Sequence, residues 1–226
     1  MKPIHSLMII SSALFIALPS ICTAAPRNAL HAGPYISGFI GASVPENSNV
    51  TTDISTDPSI HEKVDFDPGI NIGGTGGYDF GYARLEGEIS HKYSEINSIT
   101  DKSDGYRYRN PDGSLGVTAF MANAFFDLHN ETMVTPYLGG GIGFASLHLS
   151  DTHATGYRYL YTEDDDTVFA YQIGAGVEIA INRRFSLDIG YRYFGTDTAT
   201  FTNDDDQWSS LKFKSHNTTI GFRALF

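Results

Sequence analysis

The chain has 226 residues, a formal net charge of −11 and a single cysteine. This acidic balance disfavours nucleic-acid binding, and one cysteine provides neither a disulfide framework nor a zinc–thiolate site. Aromatic residues make up 13% of the chain and glycine occurs 23 times. Such a composition fits either a soluble β-sandwich or a small membrane β-barrel, so the strand pattern has to decide between them.

The first residues have the features of an export signal. Lys2 and His5 form a short basic start, residues 7–18 an apolar stretch, and Cys22 to Ala24 an exit of small residues. The apolar stretch is too short to cross a membrane as a helix. We predict a signal peptide at 1–24, a short segment at 25–33 and the β-rich domain at 34–226. A lipoprotein anchored through Cys22 is the alternative, although the bulky Ile21 departs from the usual lipobox.

Alternation of apolar and polar residues between turn signals predicts eight strands. They are residues 35–43, 68–78, 82–93, 115–127, 135–149, 168–180, 184–194 and 216–226. In the third strand Leu85 and Ile89 share one face, and Glu86 and Glu88 share the other. The last strand is apolar on one face, polar on the other, and ends in an aromatic residue, as bilayer-crossing strands do. The first and fourth strands are apolar on both faces, so their orientation stays open.

Two architectures would explain these strands. In a soluble sandwich the apolar face points into the core, whereas in a transmembrane barrel it meets lipid and the charged residues line the lumen. The export signal favours the barrel. The connections favour it as well, because they alternate between short (79–81, 128–134, 181–183) and long (44–67, 94–114, 150–167, 195–215). So do aromatic residues near strand ends, which we interpret as interfacial girdles: Tyr35, Tyr78, Tyr82, Tyr93, Tyr137, Tyr191, Tyr193 and Phe226. The prediction is an all-β fold, an eight-stranded antiparallel transmembrane β-barrel with short periplasmic turns and long extracellular loops.

Five segments resemble the outer-membrane β-barrel superfamily of opacity-type surface antigens, and within it the rickettsial major surface proteins. They are residues 33–38, 69–80, 84–90, 120–127 and 135–143. The resemblance is specific for the barrel and weak for any one activity, because this superfamily includes adhesins, immune-evasion antigens and narrow porins. It implies the outer membrane of a Gram-negative bacterium. The implied partners are membrane lipid and lipopolysaccharide, the barrel-assembly machinery, periplasmic chaperones and a host surface ligand, with no cofactor.

The polar strand faces predict a filled lumen, because eight strands enclose only enough room for side chains. The predicted charge network, which we call the lumen network, comprises Arg84, Glu86, Glu88, Asp127, Glu178, Asp188, Arg192 and Arg223. A gated ion path through the same charges is the alternative. On the last strand, Ile220, Phe222 and Phe226 are the predicted assembly signal.

The long connections carry acidic runs, including residues 163–166 and 204–206, which we interpret as solvated loop tips without an EF-hand spacing. Alternating tyrosine and arginine either extend a strand above the membrane or contact a host protein. These residues are Tyr106, Arg107, Tyr108 and Arg109, and Tyr157, Arg158 and Tyr159. Lys212 and Lys214 continue the lipid-side parity of the last strand and are predicted to meet lipopolysaccharide phosphates.

An enzyme that acts on lipid A is the alternative from a different class. His148 and Ser150 superficially resemble the His-x-Ser of outer-membrane lipid A deacylases, but Asp151 replaces the asparagine that follows there, and no orienting carboxylate is evident. The sequence therefore predicts a non-enzymatic surface antigen or adhesin-like structural protein. A narrow porin is the second candidate and the lipid A enzyme the third.

Overall fold

The computed structural model describes residues 32–53, 60–102, 107–109, 111, 113–128, 132–150, 152–153, 159–161, 164–202 and 208–226. The predicted signal peptide lies outside these ranges and stays a prediction. The strands are β1 (Gly33–Pro45), β2 (Ser48–Asp53), β3 (Ile60–Phe66), β4 (Gly69–Asp79), β5 (Ala83–Asp101), β6 (Arg107–Arg109), β7 (Ser114–Asp127), β8 (Val134–Leu149), β9 (Thr152–His153), β10 (Tyr159–Tyr161), β11 (Asp164–Ala180), β12 (Phe185–Thr202) and β13 (Trp208–Leu225). Across the described residues, no helix has the length and apolar character needed to span a bilayer.

Eight of these strands form a closed antiparallel ring. Their order is β1, β4, β5, β7, β8, β11, β12 and β13, and β13 pairs back with β1. The closing ladder runs from the Tyr35–Leu225 pair to the Pro45–Ser215 pair. Closure gives the backbone of each ring strand a partner on both sides, which is the condition for a sheet to exist in lipid. The predicted eight-stranded antiparallel barrel is confirmed.

Large apolar side chains point out of the ring. Ile36, Leu85, Phe120, Ile142 and Phe222 are each about half exposed or more. A continuous apolar surface of this kind is unfavourable in water and favourable against acyl chains. The structure also orients the first strand, whose face the sequence left open, with its even-numbered residues outward.

Several ring strands continue beyond the bilayer at the end that carries the long connections, which we call the loop end. β5 has 19 residues and β13 has 18, whereas a tilted strand crosses the hydrocarbon with about 9–11. At the opposite end, which we call the turn end, the connections are short. The interpretation of residues 94–101 and 208–215 as loop was therefore wrong.

The alternation of apolar and polar residues changes sense along β13, which explains that error. Towards the turn end, Phe222 points outward and Asn217 points into the lumen. Towards the loop end, Leu211 and Phe213 point inward and Lys212 points outward. The apolar face lies outside where the wall contacts lipid and inside where the wall contacts water. A prediction that requires the apolar residues to stay on one face of the strand therefore begins the strand only at residue 216.

A hairpin of β2 and β3 completes the wall at the loop end. β2 pairs with β13 and β3 pairs with β5. Above the membrane the hairpin therefore takes the place that β1 and β4 hold within it. β6 adds to β5, while β9 and β10 pair with each other in a separate two-stranded sheet. All five short strands lie in segments that the sequence analysis interpreted as long loops.

Candidate functional site

Charged and polar side chains fill the lumen of the membrane-spanning part. Seven of the eight residues predicted for the lumen network are less than 10% exposed. The eighth, Glu178, has a side chain that is 17% exposed and pairs with arginines of the network. The strands β5, β7, β11, β12 and β13 project these groups into the lumen from different sides of the ring. The structure therefore brings together residues that are up to 139 positions apart in the chain, Arg84 and Arg223 being the extremes.

The turn end of the lumen is a cluster of compensated charges. Arg84 Nη2 lies 3.0 Å from Asp127 Oδ1. Arg223 Nη1 donates a hydrogen bond of 2.7 Å to Glu178 Oε2, and its Nη2 lies 3.7 Å from Asp188 Oδ2. Each cation thus faces at least one carboxylate, which is the arrangement that buried charges require, since an unpaired one would be strongly destabilising.

A second cluster lies further towards the loop end, around Glu88. Its carboxylate accepts hydrogen bonds from Arg192 Nη1, from Asn123 Nδ2 at 2.9 Å and from Gln172 Nε2 at 3.0 Å. Arg192 Nη2 is also 3.8 Å from Glu86 Oε1. The sequence analysis did not select the two amides, although both share the inward parity of charged residues on their own strands.

Two tyrosines complete the network, and their predicted place in the interfacial girdle was wrong. Tyr35 and Tyr137 are only 2% and 4% exposed. Tyr35 Oη donates to Glu86 Oε2 at 2.6 Å, and Tyr137 Oη donates to Asp188 Oδ1 at 2.9 Å. The Arg84 guanidinium lies 4.5 Å from the centroid of the Tyr137 ring. A void of ≈ 10 Å³ remains among these side chains, about enough for one water molecule.

Above the network, the lumen is closed by an apolar cluster, which we call the apolar plug. Its members are Val50, Val64, Ile96, Ile99, Leu115, Val117, Ala119, Met121, Ala145, Leu147, Leu149, Ala170, Phe194, Ala199, Phe201, Leu211 and Phe213. The rings of Phe194 and Phe213 pack at an interplanar angle of 59° with 6.2 Å between centroids. Lys92 lies at the boundary between the lumen network and the apolar plug. Its Nζ is 4.1 Å from the centroid of the Phe194 ring and donates a hydrogen bond of 3.1 Å to Ser90 Oγ. A packed hydrophobic layer therefore separates the lumen network from the loop end.

Parts of the predicted Tyr–Arg segments are strands. Residues 107–109 pair with β5 as β6, and residues 159–161 form β10, in agreement with the strand-extension interpretation. Arg107 donates to Ser98 Oγ at 2.8 Å and lies 3.3 Å from Asp65 Oδ2. Outside the described residues lie Tyr106, Tyr157 and Arg158, together with the side chains of Tyr108, Arg109 and Tyr159.

The remaining predicted residues of the last strand lie on the outside of the barrel. Ile220, Phe222 and Phe226 are exposed to the lipid side, and their recognition as an assembly signal stays a prediction. Lys212 and Lys214 point outward at the loop end of the apolar band, and Lys212 Nζ is 3.9 Å from Asp197 Oδ1.

The His-x-Ser pair has a carboxylate neighbour that the sequence analysis did not find. His148 Nδ1 lies 2.7 Å from Asp165 Oδ1, across the β8–β11 ladder. Ser150 Oγ accepts a hydrogen bond from the backbone N–H of Ser114 at 2.8 Å. Within the described ranges, no group of three or more histidine, cysteine or acidic side chains gathers as it would around a metal ion.

A closed eight-stranded ring with an apolar outer band and a filled polar lumen is the construction of a small transmembrane β-barrel. The chain belongs to the family described as outer membrane protein beta-barrel domain, which matches it over residues 13–226. It is accordingly an outer-membrane protein of a Gram-negative bacterium. In such barrels the short turns face the periplasm and the longer loops face the medium, which makes the loop end extracellular.

One curated protein and two solved structures are similar to the chain. Outer membrane protein PagN of Salmonella typhimurium is 26% identical over 187 residues, covering 76% of this chain and 78% of PagN. The outer membrane protein OprG of Pseudomonas aeruginosa has a similar fold, with a TM-score of 0.63 at 13% identity, over 87% of this chain and 97% of OprG. Neisserial surface protein A matches with a TM-score of 0.49 and 18% identity, over 86% of this chain and 99% of that protein.

Proposed function

We propose that the barrel is a closed anchor and that the protein acts through its extracellular end, as a surface antigen or adhesin-like structural protein. The observation that carries this proposal is that two different fillings close the lumen in series. The lumen network occupies the membrane-spanning part, and the apolar plug occupies the part above it.

An ion that followed the barrel axis would have to cross both fillings. In the first it would displace paired charges such as Arg192 and Glu88, which lie in direct contact. In the second it would enter a layer whose aromatic residues Phe194 and Phe213 are at most 1% exposed, where an ion without partners is highly unfavourable. These two barriers argue against the narrow porin.

The extracellular end has the features of a presentation surface. β5, β11, β12 and β13 rise beyond the bilayer, and the apolar plug makes this extension rigid because it packs the wall from inside. Loops on a rigid scaffold vary freely and carry binding functions. We place the Tyr–Arg segments and a host surface ligand here, and we retain the narrower grouping with opacity-type and rickettsial antigens as part of this proposal.

We also propose that the protein is not an enzyme. His148 and Asp165 form an exposed pair with 50% and 69% of their side chains accessible, whereas catalytic residues usually lie in a cleft that encloses the substrate. Lipid A from cells that carry His148→Ala should have the same mass distribution as lipid A from the wild type. A wild-type-specific mass difference equal to one acyl chain would overturn this part of the proposal.

Binding and conductance assays on matched loop variants test the main proposal. In the first variant, residues 103–106 and 154–158 are replaced by Gly/Ser sequences of equal length. The control variant has the same replacement at 129–131, in a turn-end connection. We expect loss of adhesion to host cells for the first variant only, with heat-modifiable gel mobility kept in both. Planar-bilayer recordings should show no stepwise conductance for the wild type, and charge-sensitive steps that change with Arg192→Glu would instead favour the porin.

A further inference from the structure

Two neighbouring strands of the extracellular wall continue side by side without pairing. The ladder between β11 and β12 ends at the Ala170–Thr196 pair. Above this pair, residues 164–169 of β11 stay in register with β8, and residues 197–202 of β12 run beside β13. We call the interval between 164–169 and 197–202 the seam. Each of these two segments has a backbone partner on one side and presents an open strand edge on the other.

A β-bulge in β12 explains why the strands separate at this level. The register between β12 and β13 shifts between Gly195 and Thr198. A bulge bends its strand and increases the local twist. Thr196, inside the bulge, accepts the backbone N–H of Phe213 on its Oγ1 at 3.1 Å. The bulge is therefore fixed to β13, and above it β12 follows β13 and leaves β11.

Carboxylates take the place of a strand at the β12 edge. The Thr200 N–H donates to Asp166 Oδ2 at 2.8 Å, and the Thr198 N–H donates to Asp197 Oδ1 at 2.8 Å. Continuing the register of the ladder below would put Asp166 opposite Thr200, so a side chain spans the seam where a backbone pair would close it. Alternate residues of a strand turn their backbone groups to the same side, which adds Thr202 to this edge. The donors of the edge are thus held by side chains that another backbone can replace.

The upper part of β11 has little contact with the apolar plug. Within the described side chains of residues 165–169, Val168 alone packs against the plug, and it is only partly buried. A strand that lies between two others needs about 10 Å, twice the spacing of neighbouring strands, whereas one carboxylate spans the seam at Thr200. The seam therefore has to widen to admit a strand, and this movement costs few apolar contacts.

The seam is acidic on both sides. Asp165 and Asp166 belong to its β11 edge and Asp197 to its β12 edge, and neither 164–169 nor 197–202 contains a lysine or arginine. The side chains of Asp165 and Asp197 are 69% and 68% exposed, and each contacts one basic side chain of a neighbouring strand. Exposed pairs of this kind contribute little in water. A second copy of the chain would bring the same negative charge and be repelled, whereas a cationic segment is attracted.

We propose that the seam binds an extended, cationic polypeptide segment of a partner protein by strand addition to the β12 edge. This inference rests on the proposed adhesin-like role, for which it names the class of partner. The carbonyl groups of the segment accept the N–H groups of Thr198 and Thr200, as in other cases of strand addition. Asp166 and Asp197, released from these N–H groups, pair with lysine or arginine side chains of the segment. Apolar side chains alternate with the cationic ones, because successive side chains point to opposite faces of a strand, and they lie beside Val168.

The test uses the full mature protein, refolded in phosphatidylcholine nanodiscs, and measures the binding of a fluorescent peptide by anisotropy. The peptide has about ten residues that alternate lysine and valine, which is long enough to span the seam. Thr200→Pro removes the N–H that faces the seam and leaves the β12–β13 ladder intact. The matched control Thr200→Val keeps this N–H. We expect about tenfold weaker binding for Thr200→Pro, the order of one lost backbone hydrogen bond, and wild-type binding for Thr200→Val.

Two further peptides separate strand addition from simple attraction of charge. A peptide of the same sequence that is N-methylated at every residue keeps its charges and loses all backbone donors, so it should bind about tenfold more weakly. A glutamate–valine peptide should bind no better than it does to empty nanodiscs, and added salt should weaken the binding of the lysine–valine peptide. The proposal is overturned if folded Thr200→Pro protein, identified by its heat-modifiable mobility, binds the lysine–valine peptide as the wild type does. Equal binding of the N-methylated peptide would overturn it as well.

Adhesion to host cells separates a failure of this inference from a failure of the proposed function. If Thr200→Pro protein adheres as the wild type does while the loop variant does not, the seam inference is wrong and the proposed function stands. If the wild type binds the peptide as described and does not adhere to host cells, the proposed function is wrong and strand addition at the seam stands.

Discussion

Replacing Phe213 by alanine tests whether the loop end of the barrel has a packed core. The Phe213 side chain is 1% exposed and its ring packs against Phe194 with 6.2 Å between centroids. A phenylalanine in such a site buries about 150–250 Å², and at about 25 cal/mol per Å² this burial contributes about 4–6 kcal/mol. Alanine keeps part of the contact and the unfolded chain is partly compact. We therefore expect the free energy of unfolding to fall by about 3–5 kcal/mol.

The matched control is Phe120→Ala in the same wall. The Phe120 ring points into lipid and is 58% exposed when lipid is absent. Unfolding in urea moves this ring from lipid into water, so alanine loses about 1.5–3 kcal/mol of transfer free energy. Acyl chains fill the space that the ring leaves, so no cavity adds to this smaller loss. Urea-induced unfolding in vesicles of one composition, followed by the fluorescence of the single tryptophan, measures both variants. Equal losses would refute the idea that the extracellular wall is packed from inside.

Three other changes test the lumen and the turn end. Arg192→Met leaves buried carboxylates without their cation and should cost about 3–5 kcal/mol in the same urea titration, whereas adding Glu88→Gln should recover part of that loss. Strictly additive losses would contradict the pairing. Gly141→Ala drives a methyl group into the amide of Asn123, its partner on the adjacent strand β7, and should cost about 1–3 kcal/mol, seen as a lower yield of heat-modifiable protein. The control is Gly74→Ala, whose Cβ would meet nothing closer than 3.3 Å and which should fold as the wild type does. Equal yields of the Gly141→Ala and Gly74→Ala proteins would argue against a crowded lumen. Gly81→Ala forces an alanine to a φ of 97° and should cost about 1–2 kcal/mol, with Gly81→Asn closer to the wild type in the same titration.

The sequence identified the charged part of the candidate site and missed the polar neutral part. Glu86 and Glu88 could be placed in the lumen because they alternate with Leu85 and Ile89, and charged residues cannot face acyl chains. Tyr35 and Tyr137 could not be placed in this way, because a tyrosine fits both an interface and a lumen. Which of the two it occupies depends on partners such as Glu86, which lies two strands away in the ring.

By itself the sequence determined the closed barrel and the eight places where it crosses the membrane. The reason is that lipid imposes the same rule on every crossing strand: apolar side chains point outward and all backbone groups are paired. The resulting alternation can be recognised within a single strand. Only the tertiary structure decided what happens above the membrane. There Leu211 and Phe213 turn inward, and β2 and β3 enter the wall. Where the outer solvent is water instead of lipid, the apolar side chains are buried against one another inside the wall. The strands that carry these side chains are far apart in the chain.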